Sequence, residues 1–165
     1  MKKILLLLLT TFCLQGFGRK LPIPFPTEIS GFFTALNPVL STGPDEIIGI
    51  WLNSSGKGQI QVYKEGDKYY GKIIWLREPN GPRGNPKLDA NNPDRSLQSQ
   101  PLVGLVILRG FKFDDGEWNS GKVYDPENGK DYKCYLKLKD AKTLNVRGYI
   151  GISLLGRTEV WTRVR

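Results

Sequence analysis

The chain contains no histidine and only two cysteines among its 165 residues. Without histidine, no Ser-His-Asp triad, Cys-His pair or imidazole-based zinc or iron site can form. Any catalysis would have to use Asp, Glu, Lys, Arg, Tyr or a cysteine. We predict no metal site and no cofactor, and we favour a protein that is not an enzyme.

Long hydrophobic runs are scarce as well, and the longest stands at the start. Residues 1–18, MKKILLLLLTTFCLQGFG, combine two lysines, an apolar run and small residues, which is the layout of a secretory signal peptide. The run is shorter than the roughly 20 apolar residues that span a bilayer. We therefore predict cleavage, export to the periplasm or the medium, and no transmembrane segment afterwards. A membrane anchor and a lipidated Cys13 are the alternatives, the second disfavoured because Thr10-Thr11-Phe12 lacks small residues.

Cleavage would leave Cys134 without a partner, so no internal disulfide would stabilise the exported chain. Cys134 alternates with leucines, which predicts a buried thiol that serves as inert packing. Cleavage would also remove Lys2 and Lys3, lowering the net charge of +8 by two. The remaining lysines are spread along the chain rather than clustered with stacking aromatics, so we expect no nucleic-acid partner.

Proline is dense in residues 19–45, where it disfavours both helices and sheet ladders. We predict an arm or linker there, with one short helical turn near 32–36. From residue 46 to residue 165, short runs alternate apolar and polar residues, as in half-buried strands. The segment KCYLKLK, residues 133–139, shows this period most clearly. Further strands are predicted at Ile48–Asn53, Gln59–Lys64, Lys68–Leu76, Leu102–Phe111, Lys122–Tyr124, Thr143–Ile150 and Thr158–Val164.

Turn signals with short spacing separate these segments, and the strongest is Asn128-Gly129, since both residues tolerate positive φ. About eight strands with mostly short connections predict an all-β domain, a single up-and-down antiparallel β-barrel. Such a barrel is wide enough to be filled by side chains or to hold one small ligand. A β-sandwich is the alternative, although it needs longer crossovers.

Several motifs along the barrel segment resemble one family. Gly49-Ile50-Trp51 resembles the Gly-x-Trp opening of lipocalin-like barrels, in which an arginine packs over the tryptophan; here Arg163 or Arg157 is expected to cover Trp51. The other motifs are Asp89-x-x-Asn92-Pro93-Asp94, Pro101-Leu102-x-Gly104-Leu105-x-Ile107-Leu108, Gly121-x-Val123-Tyr124-Asp125-Pro126-x-Asn128-Gly129-Lys130, Val146-Arg147-Gly148-Tyr149-x-Gly151 and Gly156-Arg157-Thr158-x-x-Trp161-x-Arg163. Together they resemble a family of exported bacterial proteins catalogued as domain of unknown function 2147. The resemblance implies a lipocalin-like barrel and an exported location, and it implies no established activity.

The segment LDANNPDRSLQSQPL, residues 88–102, is the best candidate for a functional loop, because long ordered connections often carry function. Counted from Asp89 as a calcium loop, it lacks the glycine at position 6 and the glutamate at position 12. We therefore predict that its Asp and Asn side chains cap their own turns. The whole connection from Arg77 to Gln100 is interpreted as a lid over a barrel mouth.

Five side chains are candidate ligand-binding residues. Trp75 ends a predicted strand beside the long connection. Arg147 and Tyr149 alternate in TLNVRGYI, and the pattern leaves both orientations open; facing inward, they would form a cationic, aromatic handle for an anionic ligand. Tyr70 and Tyr124, both on predicted strands, complete the set. Structural roles are expected for Gly49, Trp51, Trp161, Arg163, Asn128 and Gly129.

These features lead to one main hypothesis and two alternatives. The main hypothesis is an exported binding protein for a small apolar or amphipathic ligand, including an anionic one. The alternatives are a cell-envelope structural or interaction protein with a filled barrel and an envelope protein partner, and a histidine-independent enzyme. A large cavity would favour the first, and a solid core with an exposed apolar patch would favour the second.

Overall fold

A computed structural model describes residues 43–164. Within this range eight antiparallel strands form a closed barrel, each strand pairs with its neighbours in sequence, and the last pairs with the first. The strands are β1 (Gly49–Leu52), β2 (Gly58–Glu65), β3 (Lys68–Leu76), β4 (Val106–Asp114), β5 (Glu117–Asp125), β6 (Lys130–Asp140), β7 (Thr143–Tyr149) and β8 (Gly156–Arg163). The predicted up-and-down barrel is confirmed. The predicted signal peptide and nearly all of the proline-rich arm lie outside the described residues.

A turn and irregular pairing explain where the predicted strand limits are wrong. Strand β4 begins at Val106 rather than Leu102 because residues 102–105 form a turn, in which the Leu105 amide donates to Leu102 O. Strand β5 begins at Glu117 rather than Lys122. A register shift in β5 places Trp118 and Gly121, three residues apart, on the buried side, and Ser120 between them has a φ of 62°. Bulges of this kind break the period of two on which the prediction rests.

The same effect at the end of β3 turns Trp75 away from the interior. The register shifts between Gln59 and Ile60, so that Trp75 pairs with the outward Gln59. The side chain of Trp75 is 41% exposed, whereas Leu76 packs against the core. Trp75 therefore does not line the barrel.

Large side chains fill the barrel where its strands are fully paired. Fully buried residues from seven strands meet there: Trp51, Val62, Tyr69, Leu108, Phe111, Trp118, Leu136 and Leu144. Two glycines show how closely they pack, because a Cβ atom at Gly71 would lie 2.8 Å from Leu108 and one at Gly121 would overlap the ring of Phe111. The interior is thus packed like an ordinary protein core.

An arginine closes the end of the barrel at which β1 begins. The guanidinium of Arg163 lies 4.1 Å from the ring centroid of Trp51 and donates to the carbonyls of Glu46, Ile48 and Ala141. The predicted cover of Trp51 by Arg163 is confirmed, while Arg157 is exposed elsewhere. Pro44 and Asp45, assigned above to the arm, also contact this end, since Trp118 Nε1 donates to Pro44 O and the Tyr69 hydroxyl to Asp45.

The thiol of Cys134 faces this core, as the alternation of KCYLKLK predicts. It is buried, and burial raises the pKa of the Cys134 thiol to about 12. The reactive form of cysteine is the thiolate, so the thiol stays protonated and unreactive at neutral pH.

Candidate functional site

The long connection between β3 and β4, residues 77–105, lies against the outer face of the barrel. Its Asp89 is fully buried, and one carboxylate oxygen accepts a hydrogen bond of 2.7 Å from the Tyr124 hydroxyl. The other oxygen accepts one of 2.6 Å from the side-chain amide of Asn92. A buried carboxylate needs such donors, because leaving it unpaired would be costly. The pair of Asp89 and Tyr124 therefore anchors the connection to β5.

Register places Tyr124 on the outside of the barrel. Its neighbour Val123 pairs with the inward Leu108, and successive strand residues point to opposite faces. Tyr124 itself pairs with Asp131 of β6. Burial beneath the connection, followed by the bond to Asp89, raises the pKa of Tyr124 to about 12. The hydroxyl thus remains a donor at every physiological pH.

A second contact fixes the connection to the β5–β6 turn. The side-chain amide of Asn91 donates to the carbonyls of Pro126 and Glu127 at 3.3 and 2.9 Å. Gly129 has a φ of 69°, and a Cβ atom there would collide with the backbone of Asn91. Asn128 donates to Asp125 and Tyr132 and accepts from the Lys130 amide, which holds the turn in shape. The structural roles predicted for Asn128 and Gly129 include this docking.

These contacts correct the interpretation of the connection as a lid. Asp89 attaches it to the outer face of β5 and Asn91 to the β5–β6 turn, so it does not cross the barrel mouth. Its remaining polar groups serve turns, as predicted: Asp94 accepts from the amide of Ser96 and caps a short 3-10 helix at Arg95–Leu97. Within residues 43–164, no three His, Cys, Asp or Glu side chains approach closely enough to hold a metal ion.

A half-open cleft of about 440 Å³ lies between the connection and the outer face of β4–β6. Arg109 and Asp131 form an ion pair on its floor, and the Arg109 guanidinium lies 5.5 Å from the ring centroid of Tyr124. Both charged side chains are 43% exposed, so they can meet a ligand. The other lining residues are Asn92, Pro93, Leu97, Gln100, Gly104, Leu105, Val106 and Gly129.

Of the five predicted ligand residues, only Tyr124 lines this cleft. Tyr70 lies on the outer face, where it stacks on Tyr63 with ring centroids 5.9 Å apart. Arg147 also faces outward and donates to Ser153 O and Thr158 Oγ1. Tyr149 lies beside Tyr135, with ring centroids 6.5 Å apart. The structure therefore does not bring the predicted set together, and Trp75 is separated from it at the end of β3.

Sequence reasoning missed Asp89 and Arg109 as parts of this site. Asp89 looks like any turn aspartate in its loop, and its partner Tyr124 is 35 residues away. One feature of the sequence could have indicated Arg109, because it is a charged residue within the apolar run LVILRGF. Such a charge on a strand whose neighbours are buried indicates an outer face that is itself covered.

Replacing Tyr124 by phenylalanine should destabilise the fold by about 1–3 kcal/mol, because it removes a donor from a buried carboxylate. Urea unfolding would measure the change, and Tyr70→Phe on the outer face of β3 is the matched control, expected within about 0.5 kcal/mol of the parent. Hydrogen exchange of residues 88–100 should also become faster in the Tyr124 variant alone. Equal effects of the two substitutions would contradict the anchoring role.

Comparisons with known proteins agree with the architecture. The family described as uncharacterized protein conserved in bacteria (DUF2147) matches residues 49–163. A solved structure entitled "Protein HP1028 from the human pathogen Helicobacter pylori belongs to the lipocalin family" superposes with a TM-score of 0.64 at 20% identity, over 72% of this chain and 82% of that one. At this identity the likeness concerns the fold alone. No protein of curated function matches the sequence. No helix in the described part of the chain has the length and apolar character to cross a bilayer.

Proposed function

The chain belongs to the DUF2147 family of bacterial proteins, and from its lipocalin-like barrel we propose an exported protein that binds a small amphipathic ligand. We place the ligand in the cleft beneath the β3–β4 connection, not in the barrel. The proposal includes release into the periplasm or the medium by the amino-terminal signal. It assigns no catalytic step to the site.

The observation that carries the proposal is a partly exposed arginine beside an apolar wall. Arg109 offers a planar set of donors that matches a carboxylate or phosphate. Leu97, Leu105 and Val106 line the same cleft and can pack against a hydrocarbon chain. The volume of about 440 Å³ lies within the range of small-molecule sites, roughly 300–1,000 Å³. An anionic head group would then share Arg109 with Asp131.

The packed interior supports this choice of site. Phe111 rests on Gly121, and Leu108 rests on Gly71, so side chains occupy the interior where β3, β4 and β5 pair. A ligand in the interior would have to displace these groups. The cleft, by contrast, is already open to solvent.

Two measurements test the proposal, beginning with native mass spectrometry of the chain recovered from its own host. We expect a bound mass that is lost on denaturation. Calorimetric titration with decanoate should then show binding that Arg109→Gln weakens roughly tenfold or more, the loss expected for a hydrogen bond to a charged group. Decanol, which lacks the charge, should bind the parent and the variant alike.

The control is Arg157→Gln, which removes an exposed arginine that does not line the cleft. It should bind decanoate like the parent. A bare protein mass together with no binding of decanoate would contradict the proposal. Equal losses of decanoate affinity in the Arg109 and Arg157 variants would indicate general charge attraction rather than a defined site.

A second function, an interaction protein of the cell envelope, is favoured by one further observation. The filled interior is accompanied by an exposed aliphatic loop between β7 and β8. Contiguous exposed apolar groups of this kind mark contact surfaces.

A further inference from the structure

The loop between β7 and β8 presents four large aliphatic side chains to solvent. Ile150, Ile152, Leu154 and Leu155 are 60–82% exposed, within six consecutive residues. Single exposed aliphatic residues are common on soluble domains, but a contiguous group marks a contact surface. We call residues 150–155 the aliphatic loop.

Arg147 holds this loop in place. Its guanidinium donates to Ser153 O through Nε and Nη2, at 3.0 and 2.7 Å, and to Thr158 Oγ1 at 2.9 Å. The loop is thereby tied to the outer face of β7, and its leucines remain displayed instead of folding back onto the barrel. Carbonyl groups with donors of their own also enter an apolar environment at lower cost.

A row of cations crosses the outer face of the barrel beside the loop. In the strand register, Arg109 lies opposite Lys122, and Lys122 lies opposite Lys133. Lys133 in turn lies opposite Tyr149, the residue that precedes the loop. Neighbouring strands are about 4.8 Å apart, so the three charges form a compact row. Arg109 is paired with Asp131, whereas Lys122 and Lys133 form no ion pair with any residue between 43 and 164.

We propose that the aliphatic loop and this basic row bind the surface of an anionic lipid bilayer. Aliphatic side chains at the tip would enter the boundary between head groups and acyl chains, and the cations behind them would meet the phosphates. A bilayer leaflet presents its phosphates to the water and its acyl chains beneath them. The cations on the barrel wall and the aliphatic side chains at the loop tip would meet these two layers in the same order. A protein partner would need an apolar groove shaped for this loop, whereas a fluid bilayer accepts the protruding side chains as they are.

The test is co-sedimentation with vesicles made of equal parts phosphatidylglycerol and phosphatidylcholine. The protein should be the full chain recovered after export, with its amino terminus established by intact mass. We expect binding that the double substitution Leu154→Ser with Leu155→Ser weakens roughly tenfold or more, since it removes two aliphatic side chains that would be buried at the head-group boundary. Lys122→Gln with Lys133→Gln should weaken binding by a similar factor, and only at low salt.

Two matched controls separate the loop from the rest of the surface. Val160→Ser removes an exposed aliphatic of β8 outside the loop, and Lys139→Gln removes a lysine at the other end of β6; both should bind like the parent. Equal binding by the leucine variant would overturn the proposal, and so would self-association that the leucine variant abolishes without any vesicle binding. The leucine substitutions leave the cleft intact, so the decanoate titration remains an independent result.

Discussion

Replacing Phe111 by alanine is expected to lower the free energy of unfolding by about 3–5 kcal/mol, the loss typical of a large aromatic residue removed from a core. The ring is fully buried and rests directly on Gly121 of the neighbouring strand. Because the strands are fixed by the closed ladder, they cannot move together to fill the space. Stability against urea would measure the loss, which is a large part of the 5–15 kcal/mol typical of a domain.

The same variant also tests whether the barrel is filled. The cavity left by the ring would be apolar and dry, and such cavities take up benzene. Benzene should therefore raise the stability of the Phe111 variant and leave that of the parent unchanged. Phe113→Ala, at a partly buried ring on the same strand, is the control and should lower the free energy of unfolding by less than Phe111→Ala does. A loss below about 1 kcal/mol at Phe111 would mean that the interior is loosely packed.

Substitution of Arg163 by glutamine is the second change with a large expected effect. It should lower the free energy of unfolding by about 2–4 kcal/mol. The guanidinium donates to three carbonyls and covers the ring of Trp51, so its removal leaves acceptors and an aromatic face uncovered at once. Arg163→Lys should recover little, because an ammonium cannot reach the three carbonyls in one plane.

Thermal unfolding followed by tryptophan fluorescence would measure this effect. The emission of the native Arg163 variant should also shift to the red as water reaches Trp51. Arg157→Gln is the control, since Arg157 is exposed and should leave both readings unchanged. A similar midpoint of thermal unfolding in the parent, the Arg163 variants and the Arg157 variant would show that Arg163 does not close the barrel.

The sequence predicted the barrel because most of its strands keep a strict period of two. In β6, Cys134, Leu136 and Leu138 all face the core, as their spacing requires. The prediction lost accuracy where bulges interrupt this period, at the end of β3, in β4 near Gly110 and in β5 near Ser120. A bulge depends on how two strands fit together, and that fit is not encoded in either strand alone.

The candidate site was harder to predict than the fold for a similar reason. Asp89 and Tyr124 are separated by 35 residues, and each has an ordinary local role in a turn or a strand. Their meeting depends on the β3–β4 connection lying on the outer wall, where alternation predicts only solvent-facing groups. The pattern left the orientation of Arg147 open; the core buries Leu144 and Val146, which turns Arg147 outward, where it donates to Ser153 O.

Closure of the barrel has a consequence for the order of folding. Strands β1 and β8 pair directly, and Arg163 bonds to the carbonyl of Ile48 across a separation of 115 residues. Bringing such distant segments together costs chain entropy before any contact compensates it, so domains dominated by long-range pairing fold slowly. Successive strands joined by short turns can pair locally, whereas β3 and β4 are separated by residues 77–105. The cover of Trp51 is complete only when both β1 and β8 are present. We therefore expect a slow last step of folding, in which β8 meets β1 and Arg163 comes to cover Trp51.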